Sequence, residues 1–325
     1  MHDFSESIFT VTDGNFDELA LNVFRFQYGH NQLYRYFVDK LCVDINKIYS
    51  LNKIPFLPIS FFKTHEVKTT AFDAEAIFES SGTTQTVYSR HHVKDLSIYN
   101  SSFIKGFQRF YGPVNDWCII GLLPSYIERQ HSSLVMMVSE LIKASGHELS
   151  GFYLYEYDIL NDILAQLERA KHRVMLIGVT FALLDFAEKY PQQLRYTTLM
   201  ETGGMKGRRY EITREEVHSF LENRLGISVV HSEYGMTELL SQAYSKGKGI
   251  FKPVPWMKVL VRNEDDPLFV EKAGSGIINV IDLANIYSCS FIATDDVGTV
   301  WKDGRFEVAG RVDNSDIRGC SLLVV

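Results

Sequence analysis

The sequence predicts an α/β protein: a largely parallel sheet flanked by helices, followed by a smaller β-rich region. Three observations carry this. Short apolar runs alternate with helical stretches between about residues 117 and 234, the pattern of strands joined by crossover helices. The helical stretches carry their own start and stop residues. From about residue 250, turn signals and short β-rich runs replace the alternation.

Taken in order, the first seventy or so residues read mostly helical, with Phe24, Phe26, Tyr34, Tyr36 and Phe37 among their aromatics. "IPFLPISFFKTH" interrupts them with two prolines and an extended apolar run. "DWCIIGLLP" predicts a buried strand and "SSLVMMVSELIKASG" the helix after it. "RVMLIGVT" predicts a strand, and "FALLDFAEKYP" a helix with a proline stop. "RYTTLMETGG" runs from strand into a glycine turn. "TREEVHSFLENRLG" is a helix with Thr at its start and Gly at its end. "ISVVHSEYGMTE" is strand into loop. Beyond it, "RNEDDP" and "KDGR" are turns, and "GIINVIDLA" and "GTVWKDGRFEVAGRVD" are β-rich. The expected division is residues 1–249, an α/β body with a helical N-terminal segment, and residues 250–325, a β-rich subdomain.

Composition excludes several classes. With 46% hydrophobic and 22% charged residues over 325 positions, the chain can bury a substantial core and is not disordered. A net charge of -7 argues against a general nucleic-acid binder. The four cysteines, Cys42, Cys118, Cys289 and Cys320, form no CxxC pair and no secreted disulfide framework. The start "MHDFSES" has no signal-peptide pattern. The longest apolar run, "VMLIGVTFALL", is far short of the roughly 20 residues a membrane span needs. A cytoplasmic protein is expected.

Four segments carry candidate chemistry. "SSGTTQT", 80–86, clusters hydroxyls around Gly82, and such a loop can wrap phosphate oxygens with its backbone N–H groups; an ordinary polar turn has the same composition. "METGGMKGRR" places Gly203 and Gly204 after a strand, where open α/β sheets bind ligands and where a tight turn also needs glycine. "SEYGMTELLSQ" offers an aromatic plane in Tyr234, a hydroxyl in Thr237 and a carboxylate in Glu238, a pairing suited to Mg²⁺ held against phosphates. "ATDDVG" and "GRVDNSDIRGC" supply Asp296, a candidate acceptor for sugar hydroxyls, and Arg311, which can reach the same ribose or a phosphate.

The order of these segments resembles that of the adenylate-forming enzymes, the superfamily of acyl-CoA ligases, luciferases and peptide-synthetase adenylation domains. "LLPSYIERQHSSLV", "LIGVTFALLDF", "ETGGMKGRR", "EYGMTELLSQAYS" and "RGCSLL" together resemble a narrower group. This is the acyl-protein synthetase component of bacterial fatty-acid reductase, the LuxE-type family. The resemblance runs from roughly Phe78 onward, and phenylacetate-CoA ligase is a more distant relative. It implies the large N-terminal-type domain of these enzymes with a small C-terminal β subdomain. The chain stops just past the hinge-like "GRVD", so no lid domain with its catalytic lysine is expected.

The resemblance implies ATP and Mg²⁺ as cofactors and a carboxylic acid, of fatty type, as substrate. Ser81, Gly82, Thr83 and Thr84 would contact ATP phosphates. Gly203 and Gly204 would lie along adenine, with Tyr234 near its plane. Thr237 and Glu238 would serve the α-phosphate and the metal, and Asp296 and Arg311 the ribose. Cys320 matches the region of the family's acylated cysteine, from which a partner acyl-CoA reductase or an acyl carrier would take the acyl group. Gln85 departs from the superfamily's usual glycine. Two other readings stay open: acyl transfer to CoA or a carrier-protein thiol without an acyl-enzyme, and a non-catalytic nucleotide-binding scaffold subunit.

Overall fold

The computed structural model describes residues 4–80, 88–124, 130–203, 213–264 and 266–312. Strands β1 (Ala76–Glu79) and β2 (Arg90–Val93) form an antiparallel hairpin of their own. A parallel set follows: β3 (Cys118–Leu122), β4 (Val174–Gly178), β5 (Thr197–Glu201) and β6 (His231–Tyr234). Next come β7 (Ala243–Ser245), β8 (Met257–Arg262), β9 (Gly274–Asp282), β10 (Phe291–Val300) and β11 (Phe306–Arg311), paired antiparallel.

The predicted strands and helices form where local signals place them. Every residue of β3 and β4 is buried, as continuous apolar runs require when helices cover both faces. The helix Ser133–Ser145 starts at Ser132, whose side chain accepts from the Val135 N–H, and stops at Gly146, with φ 63°. The helix Arg214–Leu225 opens on a reciprocal capping box between Thr213 and Glu216 and closes on Gly226, with φ 60°. The "KDGR" turn joins β10 to β11 through Gly304, with φ 81°.

The two sets of strands belong to one sheet. β6 pairs with β7, β7 with the short strand Phe251–Pro253, and that strand with β11 at Phe251 and Phe306. The hydrogen-bond ladder therefore runs unbroken across the expected division at residue 250. The result is a mixed α/β architecture, parallel at one end and antiparallel at the other.

The N-terminal helices Phe16–His30 and Gln32–Lys40 pack on the antiparallel half. Phe291 of β10 is their anchor: Tyr34 stacks on it and Phe24 and Phe56 meet it edge-on. Beside it the fully buried Gln27 donates to the carbonyls of Asn285 and Ile286 and accepts from the Ser290 N–H. A buried amide is tolerated there because its own polar atoms are paired and it satisfies the Ile286 carbonyl and the Ser290 N–H in return. Among the described residues no helix is long and apolar enough to cross a membrane.

Candidate functional site

β10 and β11 bring the two distant C-terminal candidates together. Asp296 and Arg311 are direct partners in the ladder, so their side chains leave the same face of the sheet. Arg311 Nε lies 2.8 Å from Asp296 Oδ1. On the other oxygen, Tyr234 Oη donates to Asp296 Oδ2 at 2.8 Å. Tyr234 closes β6, so one carboxylate ties the end of the parallel set to the antiparallel set. Burial, then the Asp296 charge, pushes the Tyr234 phenol well above its usual range. The carboxylate keeps lone pairs beyond these two bonds.

The loop after β6 is held from two sides. His91 of β2 donates its Nδ1 proton to the Thr237 carbonyl at 2.9 Å. Burial holds the His91 imidazole down at about 4, so it is neutral. Ser89, one residue before β2, hydrogen-bonds the Glu238 carboxyl; burial nonetheless leaves that carboxyl above its ordinary value. On the far side, Asp282 accepts from the N–H groups of Leu240 and Ser241 and from the Ser241 hydroxyl. Asn285 donates to the Glu238 carbonyl at 2.7 Å. The same β1–β2 hairpin brackets residues 80–89: the Ser80 N–H donates to the Ser89 carbonyl, and the Ser89 N–H to the Ser80 hydroxyl.

β5 ends on a second buried carboxylate. Glu201 accepts from the Thr180 hydroxyl and from the Gly203 N–H at 2.8 Å. Burial alone would raise its proton affinity; neighbouring His218, Thr180 and the Gly203 N–H outweigh this and hold it below the usual carboxylate value. Glu233, immediately before Tyr234, behaves oppositely. Burial, reinforced by the Glu201 charge, pushes its carboxyl up to about 8. Two nearby acids thus sit in opposed environments.

Two cavities meet here. One, of about 410 Å³, is bordered by Tyr234, Asp296, Arg311, Phe251, Glu201 and Arg214. The other, of about 570 Å³, is bordered by Tyr99, His131, Val135, Met137, Leu239 and Gln242. Both reach Thr202, Gly203, Glu233, Gly235 and Met236, which form the wall between them. Gly203 has φ 75°, a conformation that favours glycine. At Gly235 a Cβ would run into Glu233 Oε1.

Of the sequence candidates, Tyr234, Asp296, Arg311, Gly203 and Thr237 border these cavities. Glu238 is buried behind Thr237 and borders neither among the described residues. Ser81, Gly82, Thr83, Thr84, Gly204 and Cys320 lie outside the described residues. Ser89, His91, Glu201, Glu233 and Gln242 were not singled out from the sequence. Only Glu201 and Glu233 carried a signal, as the residues that open "ETGG" and "EYGMTE".

Among the described residues no three His, Cys, Asp or Glu side chains form a metal cluster. Mg²⁺ still fits the donor type present. It takes one or two carboxylates together with phosphate oxygens rather than a protein cage, and the Glu238 carboxyl, hydrogen-bonded by Ser89, keeps lone pairs for it.

A family model described as acyl-protein synthetase, LuxE, matches residues 12–325. No curated protein matches. Among solved structures, ATP-bound MatB from Rhodopseudomonas palustris is similar at TM-score 0.55 and 14% identity, covering 75% of this chain and 49% of that one. A 2-hydroxyisobutyryl-CoA ligase in its postadenylation state gives TM-score 0.65 and 10% identity, covering 95% and 70%. O-succinylbenzoate coenzyme A synthetase from Bacillus subtilis, solved with ATP and magnesium, gives 0.51 and 17%, covering 74% and 51%. The chain spans about half the length of the first and third. The architecture is that of the adenylate-forming ligases.

Proposed function

The chain belongs to the acyl-protein synthetase (LuxE) family, and from that premise we propose that it uses ATP to activate a carboxylic acid as an acyl-adenylate. The acyl group then passes to a thiol. The observation that supports this most directly is the shared wall of the two cavities. One cavity holds the Tyr234–Asp296–Arg311 cluster, suited to a nucleotide; the other, with Tyr99, Val135 and Met137 on its sides, suits an acyl group.

In this reading a carboxylate oxygen of the substrate forms a bond to the α-phosphorus of ATP, and the bond from that phosphorus to the β-phosphate bridging oxygen breaks. Pyrophosphate leaves with the electron pair. A carboxylate is a poor electrophile, and the mixed anhydride gives it AMP as leaving group. Asp296, steadied by Arg311 and Tyr234, accepts from the ribose hydroxyls. Gly203 and Gly204 lie along the base, and residues 81–84 take the phosphates. Thr237 would donate to the α-phosphate, and Glu238 would hold Mg²⁺. When bound, Mg²⁺ supplies charge neutralisation at the phosphates. The β1–β2 hairpin, through Ser89 and His91, fixes the Glu238 carboxyl and the Thr237 carbonyl. A thiolate then attacks the acyl carbon and AMP departs. Cys320 is the proposed acceptor, a fatty acid the proposed substrate, and an acyl reductase the proposed cytoplasmic partner.

Purified protein with ATP, Mg²⁺ and a panel of carboxylic acids tests the reading through pyrophosphate exchange and labelled acyl-protein. Exchange with at least one acid supports it; none across a broad panel counts against it. With Cys320→Ser, exchange is expected to continue while the labelled thioester disappears. A thioester that persists removes Cys320, and acyl-CoA formed only when CoA is added replaces the acyl-enzyme route.

A further inference from the structure

The acyl-side cavity is not lined as a plain hydrocarbon slot. Glu233 and Gln242 border it on either side of Gly235: a Cβ built on that glycine would run into Glu233 Oε1 and stand 3.7 Å from Gln242 Cγ. Gln242 is 3% exposed, and its Oε1 is buried with no hydrogen-bond partner. Among the described residues the Glu233 carboxyl makes no hydrogen bond either. Buried polar atoms are almost always paired, and the unpaired Gln242 Oε1, in a cavity wall that also presents the Glu233 carboxyl, points to a ligand that pairs it.

We infer that this cavity selects a carboxylic acid carrying a hydroxyl group, with Glu233 and Gln242 reading that hydroxyl, over the plain alkyl acid of the same length. The inference rests on the adenylation reading and narrows its substrate class. A hydroxyl both donates and accepts, and the two side chains offer both roles. The Gln242 carbonyl is an acceptor. Burial, reinforced by the Glu201 charge, holds the Glu233 carboxyl up at about 8, so it keeps its proton near neutral pH and is a donor. An alkyl chain would leave both groups desolvated and unpaired, the condition under which a site built for a hydroxyl rejects the analogue lacking it. Tyr99, Leu123, Val135, Met137 and Leu239 supply the apolar part of a lining that also carries His131, Ser132, Ser133 and Thr237.

The test is pyrophosphate exchange on the full chain with length-matched acids: octanoate, its 2-, 3- and 8-hydroxy derivatives, 8-aminooctanoate, and benzoate against 4-hydroxybenzoate. At least one hydroxy acid is expected to exceed its unsubstituted match by about 10- to 100-fold in kcat/KM. Gln242→Met and Glu233→Met are each expected to bring that ratio down to within about threefold of unity. Thermal denaturation checks that each variant folds. Equal or greater use of the unsubstituted acids overturns the inference and leaves adenylation standing. So does a preference for the amino acid, or a hydroxy preference unchanged in a folded variant. No exchange with any acid overturns the adenylation reading, and this inference with it.

Discussion

The Tyr234 hydroxyl and the Asp296 carboxylate, 62 residues apart in sequence, meet at 2.8 Å and join the parallel and antiparallel halves of the sheet at the smaller of the two cavities. If Asp296 receives ribose hydroxyls, its orientation depends on this bond. Tyr234→Phe removes one hydrogen bond to a charged acceptor, about 1.5 to 3 kcal/mol, and is expected to raise KM for ATP by about 10-fold or more. Steady-state exchange kinetics at varied ATP check this. An unchanged KM would detach the pair from nucleotide binding.

Glu238→Gln separates chemistry from stability. A buried carboxyl held above its ordinary value by desolvation carries a folding cost that the neutral amide avoids. The variant is expected to denature at the same or a higher temperature while exchange falls by about 100-fold or more. Exchange at the wild-type rate would remove Glu238 from the reaction.

His91 makes stability depend on pH. Its folded-state value of about 4 lies below the unfolded value of 6.5, so between these limits the unfolded chain binds more protons. The stabilisation is complete above about pH 6.5 and is lost as pH falls toward 4, by about 3 kcal/mol. His231, held down to about 4 by burial and by Lys246, slopes the same way. His91→Asn keeps a donor for the Thr237 carbonyl and removes one titration. Urea denaturation at pH 7 and pH 5 is expected to show a smaller pH difference in the variant than in wild type. Equal differences would show that His91 does not titrate as its burial requires.

Gln27→Leu tests the buried amide beneath the N-terminal helices. It leaves the Ile286 carbonyl and the Ser290 N–H without their partner, while the Asn285 carbonyl keeps the Ser288 N–H. At about 1 to 3 kcal/mol per orphaned group, a loss of roughly 2 kcal/mol or more is expected in chemical denaturation. A change under about 0.5 kcal/mol would mean that water or a relaxed backbone replaces the amide.

Much of the fold was legible because its signals are local. Thr213 with Glu216, Gly226, Gly146 and the Asp-Gly turn each act within a few residues, and β3 and β4 announce themselves as unbroken apolar runs. The joining of the two sets of strands was not legible. It depends on the pairing of Phe251 with Phe306, which no local pattern encodes. The site divides the same way. Tyr234, Asp296 and Arg311 stood out through motif order, and the structure brings them together. Ser89, His91 and Gln242 stayed hidden because their meaning lies in what faces them across the fold. Glu233 was visible as a letter, but strand alternation does not say which face opens onto a cavity.

Successive side chains of β6 point to opposite faces, and this separates two kinds of selectivity. Tyr234 turns toward Asp296 and Phe306, whereas Glu233 stands in the wall that both cavities share and Gln242 borders only the larger one. If the proposed roles hold, substitutions at Gln242 or Tyr99 can retune the acid accepted without touching the Tyr234–Asp296–Arg311 cluster. A lineage built on this strand is free to diversify its substrates while its energy source stays fixed, and an insertion of one residue, which would exchange the faces, is the change it is least able to absorb.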